Sequence, residues 1–394
     1  MRAVNAVITN RRTALKTLAS ASALACAPWA VQVAHAQSRS TQGVSATEVR
    51  LGQTAALTGP LNNANVQANA AARAVFDSVN AKGGVFGRKI NFVSMDDAYS
   101  PAKALENFKE LNDPEKGVFS LFMTGGTPAN MALMPGIEEA RIPNLAPLAA
   151  IDTLHKPDLR MFFHIRASYG QEFAKMANYL ATLGRREVAV VFSDNAFGKG
   201  GMALFEQAAT AQGVKVVGKV LMADKLESNE ALTQQLKDTK CQAVIGITSS
   251  ASGLAWAKSE IPKLGMPYLT ISLLGNESTV KILGDAAVGI IVSQAVPYFG
   301  SRKYPISNAY SALMKKANVE NLGFSGMEGY IAALVAVEAL QRAGKGLTRE
   351  GFVAALSGRK FDLKGYEVDF TGGKRSGSKF VELSLVQAGG KFAM

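Results

Sequence analysis

The sequence is poor in the residue types on which most metal sites and nucleophilic catalysts depend. Its 394 residues include only two cysteines and three histidines. Cys26 and His35 lie near the N-terminus, which leaves Cys241, His155 and His164 in the remainder of the chain. One cysteine cannot form an internal disulfide or supply a zinc cluster, and neither histidine stands at a metal-ligand spacing from another ligand. We therefore expect no structural or catalytic metal.

Recognised catalytic motifs are also missing. The chain has no GxSxG elbow for a serine nucleophile and no GxxxxGK[ST] loop for a nucleotide phosphate. The glycine-rich stretch 197–201 (FGKGG) follows a predicted strand and is typical of an ordinary loop. The adjacent carboxylates Asp96 and Asp97 could suggest a catalytic pair, but acids at a strand end usually accept hydrogen bonds from the following turn. These features argue against an enzyme and a bound cofactor.

Long apolar runs and clustered charges are absent as well. No stretch reaches the roughly 18 uninterrupted apolar residues that a membrane span needs. The formal net charge is +12, but it falls to +8 without the four cations of residues 1–36. The remaining positive charge is spread along the chain with no run of five like charges, which favours a solvated surface over a nucleic-acid footprint.

The N-terminal segment carries an export signature. Residues 1–36 contain four basic and no acidic residues, then a short apolar run, and end in the small-residue pattern Ala34-His35-Ala36 before Gln37. This order is typical of a cleaved signal peptide. The pair Arg11-Arg12 suggests the twin-arginine route, although an ordinary signal peptide remains an alternative. Lipid attachment at Cys26 is a second alternative.

The remaining 358 residues exceed what one core usually supports, so two lobes are expected. Predicted strands and helices alternate, which favours parallel sheets covered by helices on both faces. No Pro-, Gly- or Ser-rich linker divides the chain, so we expect it to cross between the lobes more than once. The predicted strands are 49–57, 89–95, 118–123, 142–146, 187–192, 215–220, 243–247, 268–271, 289–293 and 380–386. The predicted helices are 66–81, 101–111, 128–140, 170–183, 200–212, 229–238, 251–264, 305–316, 325–343 and 348–356. A chain reversal is predicted within 361–373.

The loop 124–128 (TGGTP) joins a buried strand to a helix, at the kind of strand end where open α/β sheets bind ligands. We place Thr127 at the N-cap of that helix. Its hydroxyl and the free backbone N–H groups could hold a ligand carboxylate. A plain helix cap explains the same residue equally well.

Five segments, in order along the chain, resemble the bacterial leucine/isoleucine/valine-binding family of periplasmic solute-binding proteins. These are 57–60 (LTGP), 80–89 (NAKGGVFGRK), 96–101 (DDAYSP), 137–143 (IEEARIP) and 328–333 (EGYIAA). The resemblance implies two Rossmann-like α/β lobes with parallel sheets, a three-segment hinge and a ligand in the cleft between the lobes. Crossings are implied near His164, Ala295 and Gly365. The N-terminal lobe would comprise 37–164 and 296–365, and the C-terminal lobe 165–295 and 366–394.

The resemblance also implies a site. Thr127 matches the hydroxyl residue that holds the ligand's carboxylate. The other implied or cleft-facing positions are Leu148, Ala149, Ala150, Tyr169, Phe197, Ser249, Leu273 and Tyr298. Amino-acid binders usually carry Thr or Ser at the position of Ala150 and an acid near Leu273, and both help to hold the ligand's ammonium. A buried ammonium needs an acceptor, so an acid without an amine fits about as well as an aliphatic amino acid.

From these features we expect a periplasmic, monomeric solute-binding protein that delivers a small carboxylate or aliphatic amino acid to the permease of an ABC transporter. An exported α/β enzyme and a soluble ligand sensor for a membrane receptor are the alternatives. We expect no nucleic-acid partner.

Overall fold

The computed structural model describes residues 40–59, 62–223, 228–273 and 275–394. The predictions for the signal peptide 1–36, Cys26 and Gln37 fall outside these ranges. Within them, no helix combines the length and the apolar character needed to cross a membrane.

The first lobe is built on a five-stranded parallel sheet with the order β2-β1-β3-β4-β5. Its strands are β1 (Glu48–Ala55), β2 (Lys89–Asp96), β3 (Ser120–Phe122), β4 (Asn144–Leu145) and β5 (Phe162–Phe163). Its early helices are α1 (Asn62–Asn80), α2 (Pro101–Leu111) and α3 (Thr127–Ala140). The predicted alternation of strand and helix is thus present, and the parallel strands β1 to β4 follow one another through α1, α2 and α3.

The second lobe has a seven-stranded sheet with the order β14-β13-β10-β9-β8-β6-β7. Its strands are β6 (Glu187–Ser193), β7 (Lys215–Met222), β8 (Ala243–Ile247), β9 (Tyr268–Thr270), β10 (Ile291–Gln294), β13 (Glu382–Val386) and β14 (Phe392–Ala393). Its helices are α4 (Tyr169–Thr182), α5 (Ala196–Ala211), α6 (Asn229–Asp238), α7 (Ala251–Glu260) and α8 (Glu277–Leu283).

Between β10 and β13 the chain adds helices α9 (Pro305–Lys316), α10 (Phe324–Ala343) and α11 (Arg349–Leu356), and the hairpin β11 (Lys360–Asp362)–β12 (Glu367–Asp369). Helix α10 packs along α1 of the first lobe. The two backbones approach so closely that a Cβ atom at Gly329 would lie 2.1 Å from the carbonyl oxygen of Ala68. Only glycine permits this contact, which fixes α10 to the first lobe.

Several details differ from the prediction. The short strand β5 was not predicted, and the glycine-rich stretch 197–201, expected to be a loop, lies in the first turns of α5. The second sheet is not wholly parallel, because β13 runs antiparallel to both β10 and β14. β13 and β14 are joined by a short turn, and such connections give antiparallel pairs. The predicted strand 380–386 is also not the last one, because the short strand β14 follows it. Helix α8 was missed, although Asn276 caps it by accepting a hydrogen bond from the Thr279 N–H at 3.0 Å.

In each sheet the chain adds its second strand on one side of the first strand and its third strand on the other side. This change of side lies between β1 and β3 in one lobe and between β6 and β8 in the other. Ligands of open parallel sheets bind beyond the carboxyl ends of the strands at such switch points. The loops at these positions are 123–126 in the first lobe, and 194–195 and 248–250 in the second.

The segments between the lobes meet at one side chain. The hydroxyl of Tyr366 lies 2.8 Å from the carbonyl oxygen of Ile165 and 3.2 Å from that of Ala295, and it can donate its proton to either. The neighbouring His164 N–H donates to the Arg375 carbonyl oxygen at 2.8 Å. The three chain segments that the resemblance assigned to the hinge are therefore in contact.

Candidate ligand-binding site between the lobes

Thr127 is the first residue of α3, and the N-cap is Gly126. The placement of Thr127 at the N-cap is therefore wrong. Gly126 has φ 78°, a value that glycine adopts readily, and so takes the cap position itself. The Thr127 hydroxyl makes no hydrogen bond to a backbone N–H of the first helical turn. Its oxygen is buried and has no hydrogen-bond partner among the described residues, so the helix-cap explanation does not account for this side chain.

Tyr99 is a site residue that the sequence did not reveal. It lies in the turn after β2, where both Ala98 and Tyr99 have positive φ (49° and 65°). Its ring crosses the backbone of Gly126 so closely that a Cβ atom there would lie 2.8 Å from the ring. The Tyr99 hydroxyl is buried and unpartnered within the described chain. Burial raises its pKa well above the usual value, and the Ser249 hydroxyl of the other lobe acts in the opposite direction.

The adjacent acids Asp96 and Asp97 hold this turn, as the structural interpretation of the pair predicts. Asp96 accepts hydrogen bonds from the N–H groups of Ala98 (2.9 Å) and Leu57 (2.8 Å), and Asp97 accepts from the N–H of Tyr99 (2.9 Å). Burial acts to raise the pKa of Asp96, but its hydrogen bonds prevail and lower it to about 2. Burial dominates at Asp97 and raises its pKa to about 6. The two carboxylates therefore orient Tyr99.

Tyr169 is completely buried at the start of α4, where Ser168 and Gln171 form a capping box. Its N–H donates to the Ala150 carbonyl oxygen at 2.8 Å, and its ring meets the ring of Phe197 edge to face at 5.6 Å between centroids. Its hydroxyl makes no hydrogen bond of normal geometry within the described chain, but it lies close to the Thr127 hydroxyl. Burial raises the pKa of Tyr169 to about 12, against the opposite influence of nearby groups that include Thr127.

The turn after β2 and the first residues of α3 and α4 thus place the hydroxyls of Tyr99, Thr127 and Tyr169 where the two lobes meet, with Ser249 opposite Tyr99. We call these three groups the hydroxyl cluster. Buried polar groups in proteins are nearly always paired, and an unpaired one costs about 1–3 kcal/mol. A carboxylate offers several lone pairs and accepts hydrogen bonds from more than one donor. The arrangement is suited to bind an anionic oxygen group.

Of the other predicted site residues, some lie next to the hydroxyl cluster and some lie elsewhere. Leu148, Ala149 and Ala150 are buried next to the hydroxyl cluster, and the Leu148 carbonyl oxygen accepts from the Gly126 N–H at 3.3 Å. Tyr298 is not brought to the cluster: it packs against Phe299 (4.7 Å between centroids) and Phe324 (5.7 Å).

Leu273 lines a second, small space between the lobes, which also borders Leu148, Arg166 and Glu328. Arg166 is buried and forms ion pairs with Glu172 at 2.6 Å and with Glu328 at 3.1 Å. Burial raises the pKa of Glu328, although the Arg166 cation opposes this effect. The acid that borders the same cavity as Leu273 is therefore already engaged by an arginine.

This ion network was also missed from the sequence, although two signals for it exist. Glu172 lies on the apolar face of α4 beside Phe173 and Met176, and Glu328 interrupts a helix that is otherwise apolar over most of its surface. A charged residue at such a position is almost never buried without a partner. Among the described residues, no group of three or more His, Cys, Asp or Glu side chains is arranged to hold a metal ion.

Comparison with known proteins agrees with this geometry. A sequence model described as periplasmic binding protein matches residues 48–390. The Leu/Ile/Val-binding protein homolog 3 of Brucella melitensis biotype 1 is 26% identical over 302 residues, which cover 75% of this chain and 80% of that protein.

Two solved structures are similar over nearly the whole described chain. A substrate-binding periplasmic protein from Ralstonia solanacearum has a TM-score of 0.80 and 26% identity, and the match covers 88% of this chain and 99% of that one. A branched-chain amino acid ABC transporter protein from Thermus thermophilus, with bound valine, has a TM-score of 0.78 and 25% identity, with 89% and 96% covered.

Proposed function

Because this chain belongs to the periplasmic binding protein family, we propose that it captures a small carboxylic acid between its lobes and delivers it unchanged to the permease of an ABC transporter. The observation that carries the proposal is the hydroxyl cluster, whose three oxygens are buried and make no hydrogen bond of normal geometry among the described residues, although Tyr169 lies near Thr127 and Tyr99 near Ser249. A bound carboxylate would accept from these donors and remove the cost of leaving them unpaired.

The proposal favours an acid that has an apolar body and no amine. Phe197, Leu148 and Ala150 provide apolar walls near the cluster, and all three are at least nine-tenths buried. A ligand ammonium would need its own acceptor. Ala150 and Leu273 have none to offer in their side chains, and Glu328 is paired with Arg166.

An aliphatic amino acid is the second candidate. It is favoured by the bound valine in the Thermus thermophilus structure and by the Leu/Ile/Val-binding name of the Brucella relative. If the amino acid binds, the network of Arg166, Glu172 and Glu328 is the nearest source of negative charge, since it holds two carboxylates against one guanidinium.

A thermal-shift panel separates these candidates. The protein is stripped of ligand by unfolding and refolding, then heated with leucine, with 4-methylpentanoate (leucine without its amine) or with benzoate. Ligand at 100 times its Kd stabilises the folded state by about 2.7 kcal/mol, which gives a clear increase in Tm. We expect shifts with the two amine-free acids. A shift with leucine alone would establish the amino-acid candidate instead.

The same refolded protein is used to test whether the bound ligand stays chemically unchanged. A ligand recovered from the complex after prolonged incubation should be chemically unchanged by mass spectrometry. A modified product would favour the exported enzyme. Transport and sensing are separated by asking whether the ligand-loaded protein stimulates the ATPase activity of a reconstituted permease.

The proposed location is the periplasm, reached after removal of residues 1–36. N-terminal sequencing of secreted protein should then begin at Gln37. A mature chain that begins at a lipid-modified Cys26 would show a membrane-anchored protein, and substitution of Arg11 and Arg12 by lysine would block export only if the twin-arginine route is used.

A further inference from the structure

Helix α10 begins without a capping side chain of its own, because its N-cap residue is Gly323. The first N–H groups of a helix have no acceptor within the helix and need one from elsewhere. The N–H of Phe324, the first residue of α10, donates to the two carboxylate oxygens of Glu277 at 3.1 and 3.0 Å. The cap of this helix is therefore provided by a residue 47 positions earlier in the chain. We call this contact the interlobe cap.

The donor and the acceptor of the interlobe cap belong to different lobes. The start of α10 is fixed within the first lobe, where the Gln67 amide of α1 donates to the Asn321 carbonyl oxygen at 2.9 Å. The Tyr310 hydroxyl of α9 also contacts the backbone of Gly323, at 3.3 and 3.4 Å. Glu277 is instead the first residue of α8, in the second lobe. The contact therefore exists only while the two lobes stay together.

Beside the interlobe cap the lobes are separated by a groove that is open to solvent. Val66 and Gln67 of α1 line this groove together with Ser278 and Ile282 of α8. Val66 and Ile282 are 48% and 40% exposed, so the two helices do not bury their apolar side chains against each other there. Glu277 lines the same groove and connects the lobes at its α10 end.

We infer that the interlobe cap holds the two lobes together around a bound ligand, so that Glu277 controls how fast the ligand is released. The inference rests on the proposed function only in that a ligand is captured between the lobes. The start of α10 is close to that site, since Glu328, one turn after Phe324, borders the same small space as Leu148. Separation of the lobes breaks the hydrogen bond from Phe324 to Glu277, and its loss opposes opening.

Gly323 offers a way to break the interlobe cap from the first lobe. A Cβ atom there would lie against a carboxylate oxygen of Glu277 and 2.6 Å from the side-chain nitrogen of Gln67. Both atoms are at the ends of flexible side chains, so Gly323→Ala should displace them without disturbing the core. The backbone of Gly323 is extended (φ −175°), a conformation that alanine also adopts. The contact can therefore be removed from either lobe without a change at the hydroxyl cluster.

Matched variants test the inference. Glu277→Ala and Gly323→Ala remove the interlobe cap, whereas Glu277→Gln keeps a side-chain oxygen that can accept from the Phe324 N–H. Glu206→Ala is the control for the loss of an acid, at a side chain that is 45% exposed. Gly346→Ala is the control for the added methyl group, because a Cβ atom at Gly346 would meet no other atom within 4 Å.

Ligand release is measured by stopped flow with 4-methylpentanoate, or with leucine if only leucine binds. Glu277→Ala and Gly323→Ala should release the ligand roughly fivefold faster or more, with nearly unchanged association rates. Glu277→Gln and both controls should behave as the parent does. Small-angle X-ray scattering of the ligand-free proteins should show a larger radius of gyration only for Glu277→Ala and Gly323→Ala, because their lobes separate more readily.

Circular dichroism identifies the variants that fold, and if one of the two disruptive variants does not fold, the other decides. Release rates and radii equal to those of the parent in a folded Glu277→Ala or Gly323→Ala variant would overturn the inference. A Glu277→Gln variant as defective as Glu277→Ala would also overturn it, since the role is assigned to the hydrogen bond. If neither ligand binds to the parent, the proposed function fails, and the radii of gyration alone decide the role of Glu277.

Discussion

The guanidinium group of Arg166 lies 2.6 Å from the carboxylate of Glu172, and neither side chain is more than 4% exposed. Arg166 precedes α4, and its other terminal nitrogen lies 3.1 Å from Glu328 on α10. Since α10 packs in the first lobe and α4 in the second, this one arginine connects both lobes at the hinge. Glu172 is fixed further by the hydroxyl of Ser293 at 2.5 Å and the N–H of Ser272 at 2.9 Å.

Removal of this cation should be strongly destabilising. Arg166→Met leaves two buried carboxylates without a counter-charge, which costs about 3–5 kcal/mol of unfolding free energy. The control is Lys219→Met, which breaks an exposed pair with Glu206 at 2.7 Å and should cost less than about 1 kcal/mol. Urea unfolding measures both values. Similar losses in the two variants would show that the buried network does not stabilise the folded protein.

Loss of the Thr127 hydroxyl should affect binding more than folding. Thr127→Ala removes a hydrogen bond to a charged ligand group, worth about 1.5–3 kcal/mol or roughly a 10- to 150-fold increase in Kd. Thr127→Ser keeps the donor and should bind nearly as the parent does. Because the variant also loses the buried γ-methyl group, the ligand-free Ala variant should lose only about 1 kcal/mol of unfolding free energy. Unchanged affinity in the Ala variant would contradict the assigned role.

The contrast between Thr127 and Tyr99 shows what the sequence could and could not provide. The position of Thr127 after a buried strand followed from local pattern, and the ends of helix α6 were predicted to the residue. Tyr99 depends on two residues with positive φ and on its contact with Gly126 from another loop, which no periodicity reveals. The pair of Arg166 and Glu328 joins positions 162 residues apart. Such contacts form only when the tertiary fold brings distant residues together. The strands and helices were therefore predictable from local pattern, and the polar network was not.

Glu277 should make stability depend on pH. It lies on α8 of the second lobe and accepts a hydrogen bond from the Phe324 N–H at the start of α10, at 3.0 Å. Burial raises its pKa to about 7, while backbone hydrogen bonds oppose the change. Because the pKa is raised on folding, the stability from this group is complete below about pH 4.5 and is lost as the pH rises through 7. The total loss is of the order of 3 kcal/mol.

Glu277→Gln isolates this effect, because glutamine can still accept the hydrogen bond but does not titrate. Above pH 7 the variant should be more stable than the parent, and the two should converge near pH 4.5. Glu206→Gln, at a side chain that is 45% exposed, serves as the control and should show no such divergence. A pH-independent difference between Glu277→Gln and the parent would mean that the carboxyl group does not change its charge in this range.

The stacked pair of His155 and His164 should have the opposite pH dependence. Their ring centroids are 3.6 Å apart, and the His164 Nε2–H donates to the Leu154 carbonyl oxygen at 2.8 Å. Burial lowers the pKa of His164 to about 4, and burial together with the neighbouring His164 and Arg166 lowers that of His155. A pKa lowered on folding gives stability that is present above about pH 6.5 and is lost as the pH falls toward 4.

His155→Phe tests this dependence, because phenylalanine keeps a ring for stacking and removes one titrating group. The Nδ1 contact of His155 with the Ser376 hydroxyl, at 2.5 Å, is lost, so the variant should start with a lower unfolding free energy at pH 8. Between pH 6.5 and 4 its stability should then fall less steeply, by up to about 1.4 kcal/mol per pH unit. Carboxylate protonation affects both proteins alike, so the difference between the two slopes reports the histidine. Parallel slopes from urea unfolding at pH 8, 6, 5 and 4 would show that His155 is not forced to stay neutral in the folded protein.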